Sequence, residues 1–175
     1  MKPELKCGLI TGAGVCLWIM GEYLLGFHTT RLEIGAYSGF FSAIIPLVTL
    51  FRMLKAQRDA VPDGRLGVWP GVKSGLHAAF ISGVIVYGFM LAYNQFINPG
   101  WLDHALDWHV AQLRTEGVAE SAIREEIKTY RQLNGPVGCL ISIVAGTTVM
   151  GGIFSAGLTL LLRRWPRPDA GHQGA

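Results

Sequence analysis

Charge is what this sequence has least of. Only 15% of its 175 residues are Asp, Glu, Lys or Arg, while half are apolar, and ordinary soluble domains carry nearer a quarter of charged residues. The shortage is also uneven. Residues 34–51, 74–97 and 136–162 hold no charged side chain, and residues 7–27 hold one, Glu22. Each stretch reaches the roughly 17–25 residues with which a helix crosses a bilayer. Also missing is the polar stripe that would mark these stretches as core helices of a soluble bundle. "FFSAIIPLVTLF" and "CLISIVAGTTVMGGIFSAGLTLLL" are apolar all round, which excludes the soluble reading.

Other absences narrow the function. The three cysteines, Cys7, Cys16 and Cys139, form no C-x-x-C pair and fall in or at the edge of apolar stretches, so they read as packed thiols. With a net charge of +3 and no run of five basic residues, nucleic acid is not a partner, and anionic lipid headgroups are. No cleaved signal peptide is expected, because the small residues of "GLITGAG" lie inside the first apolar stretch rather than after it. H-E-x-x-H, G-x-S-x-G, the P-loop and G-x-G-x-x-G are all absent, and no two acids share a depth within the spans. The chain is therefore not expected to be an enzyme or to hold a cofactor.

What is present predicts an all-α, four-helix transmembrane bundle with spans at about 7–27, 34–54, 72–97 and 136–162. Residues 1–165 form one integral membrane domain, and 166–175 a disordered cytoplasmic tail. Four spans put both termini and the loop around residues 52–73 on one side. That side carries ten of the fifteen Lys and Arg residues, so both termini are predicted cytoplasmic. Between the third and fourth spans, residues 98–135 are predicted to form two short amphipathic extracytoplasmic helices. In the first, Trp101, Leu102, Ala105, Leu106, Trp108 and Leu113 oppose Asp103, His104, Asp107 and Arg114. In the second, Ile123, Ile127 and Tyr130 oppose Glu120, Arg124, Lys128 and Arg131. Asp103, His104, Asp107 and His109 have metal-binding side chains, but His109 lies about 140° round the helix from His104, so no metal site is expected.

Each span repeats small residues every fourth position: Gly8, Gly12 and Cys16; Gly35, Gly39 and Ala43; Gly75, Ala79 and Gly83; Gly138, Ser142 and Gly146. Such ladders let helices approach closely in lipid, within a bundle or along an oligomer seam. Pro46 is expected to kink the second span. "PELKCGL" and "PGVKSGL" match at four of seven positions with an offset of 67 residues, which suggests a duplicated helix pair with parallel halves. Thr30 and Glu33 in "TRLE" read as a capping box opening the second span.

The candidate functional site is a polar cluster at the outer ends of the spans: Glu22, His28, Arg31, Asn94, Gln95 and Asn98. Glu22 lies six residues before His28, roughly 9 Å below the helix end. At that depth a carboxylate needs a partner. Glu22 is predicted to face the bundle interior and bond to a group from another helix or the hairpin, with Asn94, Gln95, His28 and Arg31 in reach.

The four spans, the hairpin "HTTRLEIGAY", "YNQFINPGW" closing the third span, and the charged helical segment before the last resemble the bacterial integral membrane family of domain of unknown function 4199. The resemblance covers residues 2–165 and implies a single domain in the bacterial inner (cytoplasmic) membrane. It carries no catalytic residues. The function expected is a structural or accessory envelope protein whose partners are the lipid bilayer and a second copy or another membrane protein. The alternative is a small oligomeric transporter or channel using Glu22 and the polar outer end of the third span.

Overall fold

The computed structural model describes residues 1–164, and its regular structure is helical throughout. The tail expected to be disordered, 166–175, lies outside the described residues. Four helices are long and apolar enough to cross a membrane: α1 (Pro3–Leu24), α2 (Leu32–Asp59), α3 (Val68–Ile97) and α6 (Pro136–Arg164). Between the last two stand α4 (Trp101–Thr115) and α5 (Glu120–Asn134).

Contacts between the long helices give their directions. Glu4 meets Gln57, Thr11 meets Thr49, and Glu22 meets Ser38, so α1 and α2 are antiparallel. Glu4 also meets Ser74, and His28 meets Tyr93, so α3 runs beside α1 in the same sense. Tyr87 reaches the carbonyl of Pro136 near the start of α6, and Gly71 abuts Thr159 near its end. Residues 1–6, the loop 60–67 and residue 164 therefore share one end of the bundle, called here the terminal end. The link between α1 and α2 lies at the other, the turn end.

Helix α3 is the centre of the packing, and missing side chains make the approach close. A Cβ on Gly8 would lie 2.7 Å from the Ala78 carbonyl and from Ile81 Cβ, and one on Gly12 would lie 2.9 Å from Ile85 Cβ. On the opposite face of α3, a Cβ on Gly75 would collide with Ser155, and one on Gly71 with Thr159. Without a hydrophobic drive between helices in lipid, this backbone proximity supplies the dispersion contact that holds them. The main buried apolar cluster, which includes Cys7, Leu54, Leu66, Ala78 and Leu162, sits toward the terminal end. Apolar side chains elsewhere point outward: Leu17, Tyr37, Phe40, Phe41 and Ile153 are all exposed. Such a surface suits hydrocarbon and would be a liability in water.

The predicted ladders divide into two kinds. Those of α1 and α3 form the central seams. On α2, Gly39 has nothing within 4 Å of a Cβ, and on α6 Gly146 is equally open. The face of α6 that packs on α3 carries Gly151, Ser155 and Thr159 instead. A four-residue repeat locates small residues but not the face that meets a neighbour, and in α6 the π-turn Leu140–Ala145 shifts the register in between. The copies "PELKCGL" and "PGVKSGL" also part company: Gly8 packs against α3, whereas Gly75 packs against α6. Lys6 lines a cleft, whereas Lys73 lies 5.4 Å over the ring of Trp69. The copies therefore do not make equivalent contacts.

Pro46 interrupts α2 as its chemistry requires. It has no N–H to donate, and the helix breaks at Ala43 between Leu32–Ser42 and Ile44–Asp59. Helices α4 and α5 bury Leu106, Val110 and Ile123 against each other and expose Asp103, Asp107, Arg124 and Lys128. Gly117 turns the corner at φ 78°, and Arg114 pairs with Glu120 across it at 2.9 Å.

Candidate functional site

The site is built from the way α1 ends. Gly26 takes φ 79°, its N–H donates to the Tyr23 carbonyl, and the Phe27 N–H donates to the Glu22 carbonyl, each at 2.9 Å. This double closure with glycine in the left-handed region is a Schellman motif. The Gly26 carbonyl then accepts N–H groups from Thr29, Thr30 and Arg31, so the link is wound tightly and His28 is held beneath it. Gly35 completes the arrangement, because any Cβ there would strike the Phe27 carbonyl. With α2 seated so closely, Ser38 comes within reach of α1.

Glu22 is 7% exposed and faces inward. Its Oε1 accepts from Trp18 Nε1 at 2.7 Å and from Ser38 Oγ at 2.6 Å. Its Oε2 faces His28 Nε2 at 3.4 Å. A neutral imidazole beside a carboxylate oxygen keeps its proton on that nitrogen, which leaves Nδ1 as an acceptor. The Tyr93 hydroxyl, 2.7 Å away, supplies the donor, and Tyr93 in turn accepts from Asn98 Nδ2 at 3.2 Å. The chain Asn98, Tyr93, His28, Glu22 thus has one consistent direction of donation, and it ties α3 to the α1–α2 link.

Local geometry in α3 makes the last step. Its final turn, Tyr93–Ile97, is a π-turn, and the Asn98 N–H closes on the Tyr93 carbonyl at 2.8 Å. This five-residue closure brings the Asn98 side chain back over the Tyr93 hydroxyl. Aromatic rings surround the cluster: Tyr23, His28 and Phe89 lie 5.7–6.0 Å from Tyr93, and Trp101 of α4 lies 6.1 Å from His28. Beyond His28, a cleft of about 250 Å³ separates Phe27, Gly35 and Ala36 from Trp101, Trp108 and Tyr130. Burial holds the His28 imidazole below the ordinary histidine range, against the opposing pull of the Glu22 carboxylate.

Of the six residues singled out by sequence, Glu22, His28 and Asn98 are brought into one network. Arg31 is exposed and its side chain takes no part. Asn94 and Gln95 line a different cleft of about 250 Å³, with Met90, Asn134 and Pro136. There Asn94 Oδ1 is buried without a hydrogen-bond partner among the described residues. Three members were not singled out: Trp18, Ser38 and Tyr93. Trp18 stands four residues before Glu22, one turn along the same face, and that spacing was a usable signal. The expected capping box is not formed. Arg31 occupies the cap position without a side-chain bond, and Thr30 Oγ1 donates to the Gly26 carbonyl, because the tight link has already taken that hydroxyl.

A second polar group lies at the terminal end. Glu4 Oε1 accepts from Gln57 Nε2 and Ser74 Oγ, each at 3.0 Å, joining α1, α2 and α3. Nearby Arg58, 3% exposed, donates to the Leu162 carbonyl at 3.2 Å and to Asp59. Among the described residues no three His, Cys, Asp or Glu side chains converge as metal ligands do. His109, for example, stacks on Tyr130 and faces Glu126 at 3.5 Å.

Four apolar helices alternating in direction along the chain, with polar clusters at both ends, have the build of a small multi-pass membrane protein. Residues 6–164 match the family described as protein of unknown function (DUF4199), and the chain belongs to that family. No curated protein and no solved structure matches it.

Proposed function

We propose that this protein is a structural or accessory component of the bacterial inner membrane, and that the Glu22 network is an internal clasp. The observation that carries this reading is the closure of the polar groups on one another. Both Glu22 oxygens have partners inside the chain, and between this cluster and the Glu4 cluster α1 closes on α3 where Gly8 and Gly12 meet Ala78, Ile81 and Ile85, beside a mid-depth cavity of about 320 Å³ lined among others by Thr11, Pro46, Ala78, Ser82, Thr147 and Phe154. No charged side chain lines that cavity, so the ionisable groups of the two clusters stay at opposite ends of the bundle. The proposal includes the topology that the basic residues favour, with the terminal end cytoplasmic and α4–α5 folded over the outer end as a cap.

One observation favours a second reading, an oligomeric transporter. The Glu22–His28–Tyr93 chain consists of groups that exchange protons, and it adjoins the aromatic cleft. The same experiment separates the two. The purified protein in liposomes is assayed for proton and cation flux, and parallel pull-downs from native membranes seek a bound protein. Absence of flux with a stoichiometric partner retained supports the accessory role, whereas flux abolished by Glu22→Gln in a stably folded variant defeats it. For topology, a cysteine placed at Ser121 in a variant lacking the native cysteines should react with an impermeant thiol reagent in spheroplasts. Labelling at position 63 with protection at 121 would reverse the orientation.

A further inference from the structure

The terminal end carries a feature that the Glu22 network does not touch. A cleft of about 420 Å³ lies between the start of α1 and the second half of α2, lined among others by Pro3, Lys6, Cys7, Ile10, Arg52 and Met53. Its two cations have a defined height. Lys6 is the charge at which the apolar stretch 7–27 begins, and Arg52 the charge at which 34–51 stops. Both therefore sit where hydrocarbon gives way to headgroups. One helical turn deeper, the walls are Ile10 and Thr49.

Neither cation forms an ion pair among the described residues, and the acids close by are engaged elsewhere. Glu4 is hydrogen-bonded to the neutral Gln57 and Ser74, so one carboxylate stands against the two cations, and Asp59 pairs with Lys55 and Arg58. The positive end of the α1 dipole points toward the same place. This is positive potential at headgroup level above an apolar wall. Arg adds a planar fork suited to phosphate oxygens, and Lys a mobile point charge.

We propose that this cleft binds an anionic phospholipid, with the phosphodiester on Lys6 and Arg52 and an acyl chain running inward along Ile10 and the Thr49 methyl group. A zwitterionic lipid would bring its own cation to compete for the phosphate, whereas a lipid of net negative charge leaves both side chains compensated. A free phosphate would meet the same charges but gain nothing from the apolar wall.

The test uses the full-length protein in a mild detergent, with phosphatidylglycerol, phosphatidylcholine or inorganic phosphate added at equal concentration. Thermal unfolding reads stabilisation, and native mass spectrometry reads the lipid retained. Phosphatidylglycerol should raise the midpoint and remain bound, while the other two do neither. The double substitution Lys6→Gln and Arg52→Gln should weaken phosphatidylglycerol retention on the order of tenfold or more. Arg124→Gln with Lys128→Gln, on exposed positions of α5, should leave retention unchanged, and Lys6→Arg should preserve it. Equal retention of phosphatidylcholine by the parent protein would overturn the proposal without recourse to any variant. So would a folded double variant that keeps phosphatidylglycerol. An equal midpoint shift from inorganic phosphate would make the cleft a small-anion site and defeat the lipid assignment.

Discussion

The two faces of α3 and the upper half of α2 are built on opposite plans, although both are rich in small residues. Along α3, glycine on one helix is matched by a side chain or backbone on the next, so that Gly8, Gly12, Gly71 and Gly75 each stand where a methyl group would collide. Along Leu32–Ser42, Gly39 is open and Ile34, Tyr37, Phe40 and Phe41 face outward. What holds the upper half of α2 is polar and local: the Gly35 contact with the Phe27 carbonyl and the Ser38 bond to Glu22. Small residues thus serve as packing in one region and leave an open surface in the other, and the partner rather than the residue type decides which.

The largest effect should come from the tight seam. Gly75→Leu must displace Ser155 or separate α3 from α6, a cost of about 3 kcal/mol or more for a buried site with no room to relax. Loss of monodisperse protein in detergent is the expected readout. Gly39→Leu, in open space, should stay within about 0.5 kcal/mol of the parent. If both variants behave alike, the contrast between the regions is broken.

Next in size is the small core of α4 and α5. Ile123→Ala, at a site only 1% exposed, removes the contact with Leu106 and Val110 and should cost about 2–4 kcal/mol locally. Because that core is separate from the cluster at the terminal end, amide exchange should accelerate through residues 101–134 and not in α3. Acceleration in both would show the two cores to be one cooperative unit.

A smaller change tests the polar clasp. Glu22→Leu leaves Trp18 and His28 without their acceptor, while Ser38 falls back on the Gly35 carbonyl at 3.1 Å. Interhelical polar contacts in membranes are worth about 0.6–2 kcal/mol each, so a loss of about 1–3 kcal/mol is expected in an unfolding titration. A variant as stable as the parent would mean that the clasp does not hold α2.

The smallest effect concerns pH. A histidine held below its ordinary range when folded takes up a proton more readily when unfolded. The folded state is therefore favoured above about pH 6.5 and loses that advantage as pH falls through the unfolded value toward the lower folded one. The thermal midpoint should drop between pH 7.5 and 5.5 by more in the parent than in His28→Gln. Equal drops would mean that His28 does not report on the clasp.

The spans were legible because a stretch of about twenty residues without charge suits little besides the interior of a bilayer. The depth of Glu22 was legible for the same reason, and His28 could be named because a short link must bring it back over the helix end. Tyr93 was hidden, since within "VIVYGFMLAYNQF" a tyrosine reads as interfacial, and its bond to Asn98 depends on a π-turn that no residue pattern announces. Ser38 was hidden because its reach depends on Gly35 meeting a carbonyl on the preceding link. Arg31, Asn94 and Gln95 were at suitable depths but on other faces, and depth is all that position along a span reveals.

The arrangement around Glu22 also bears on the order in which the chain is made. Trp18, Glu22, His28 and Ser38 lie within 21 consecutive positions, so the acid has its first partners once the initial helical hairpin exists. The glycine face of α1, by contrast, waits for Ala78, Ile81 and Ile85 of α3. A hairpin that enters the bilayer with its carboxylate already bonded avoids much of the cost of an unpaired acid, which reaches roughly 3 kcal/mol at the middle of a span and is less at the depth of Glu22. It would also dwell there with an unsatisfied packing face until the third helix arrives. Early in synthesis, then, Glu22 is the settled part of the hairpin, and Gly8 and Gly12 are the part still seeking a neighbour.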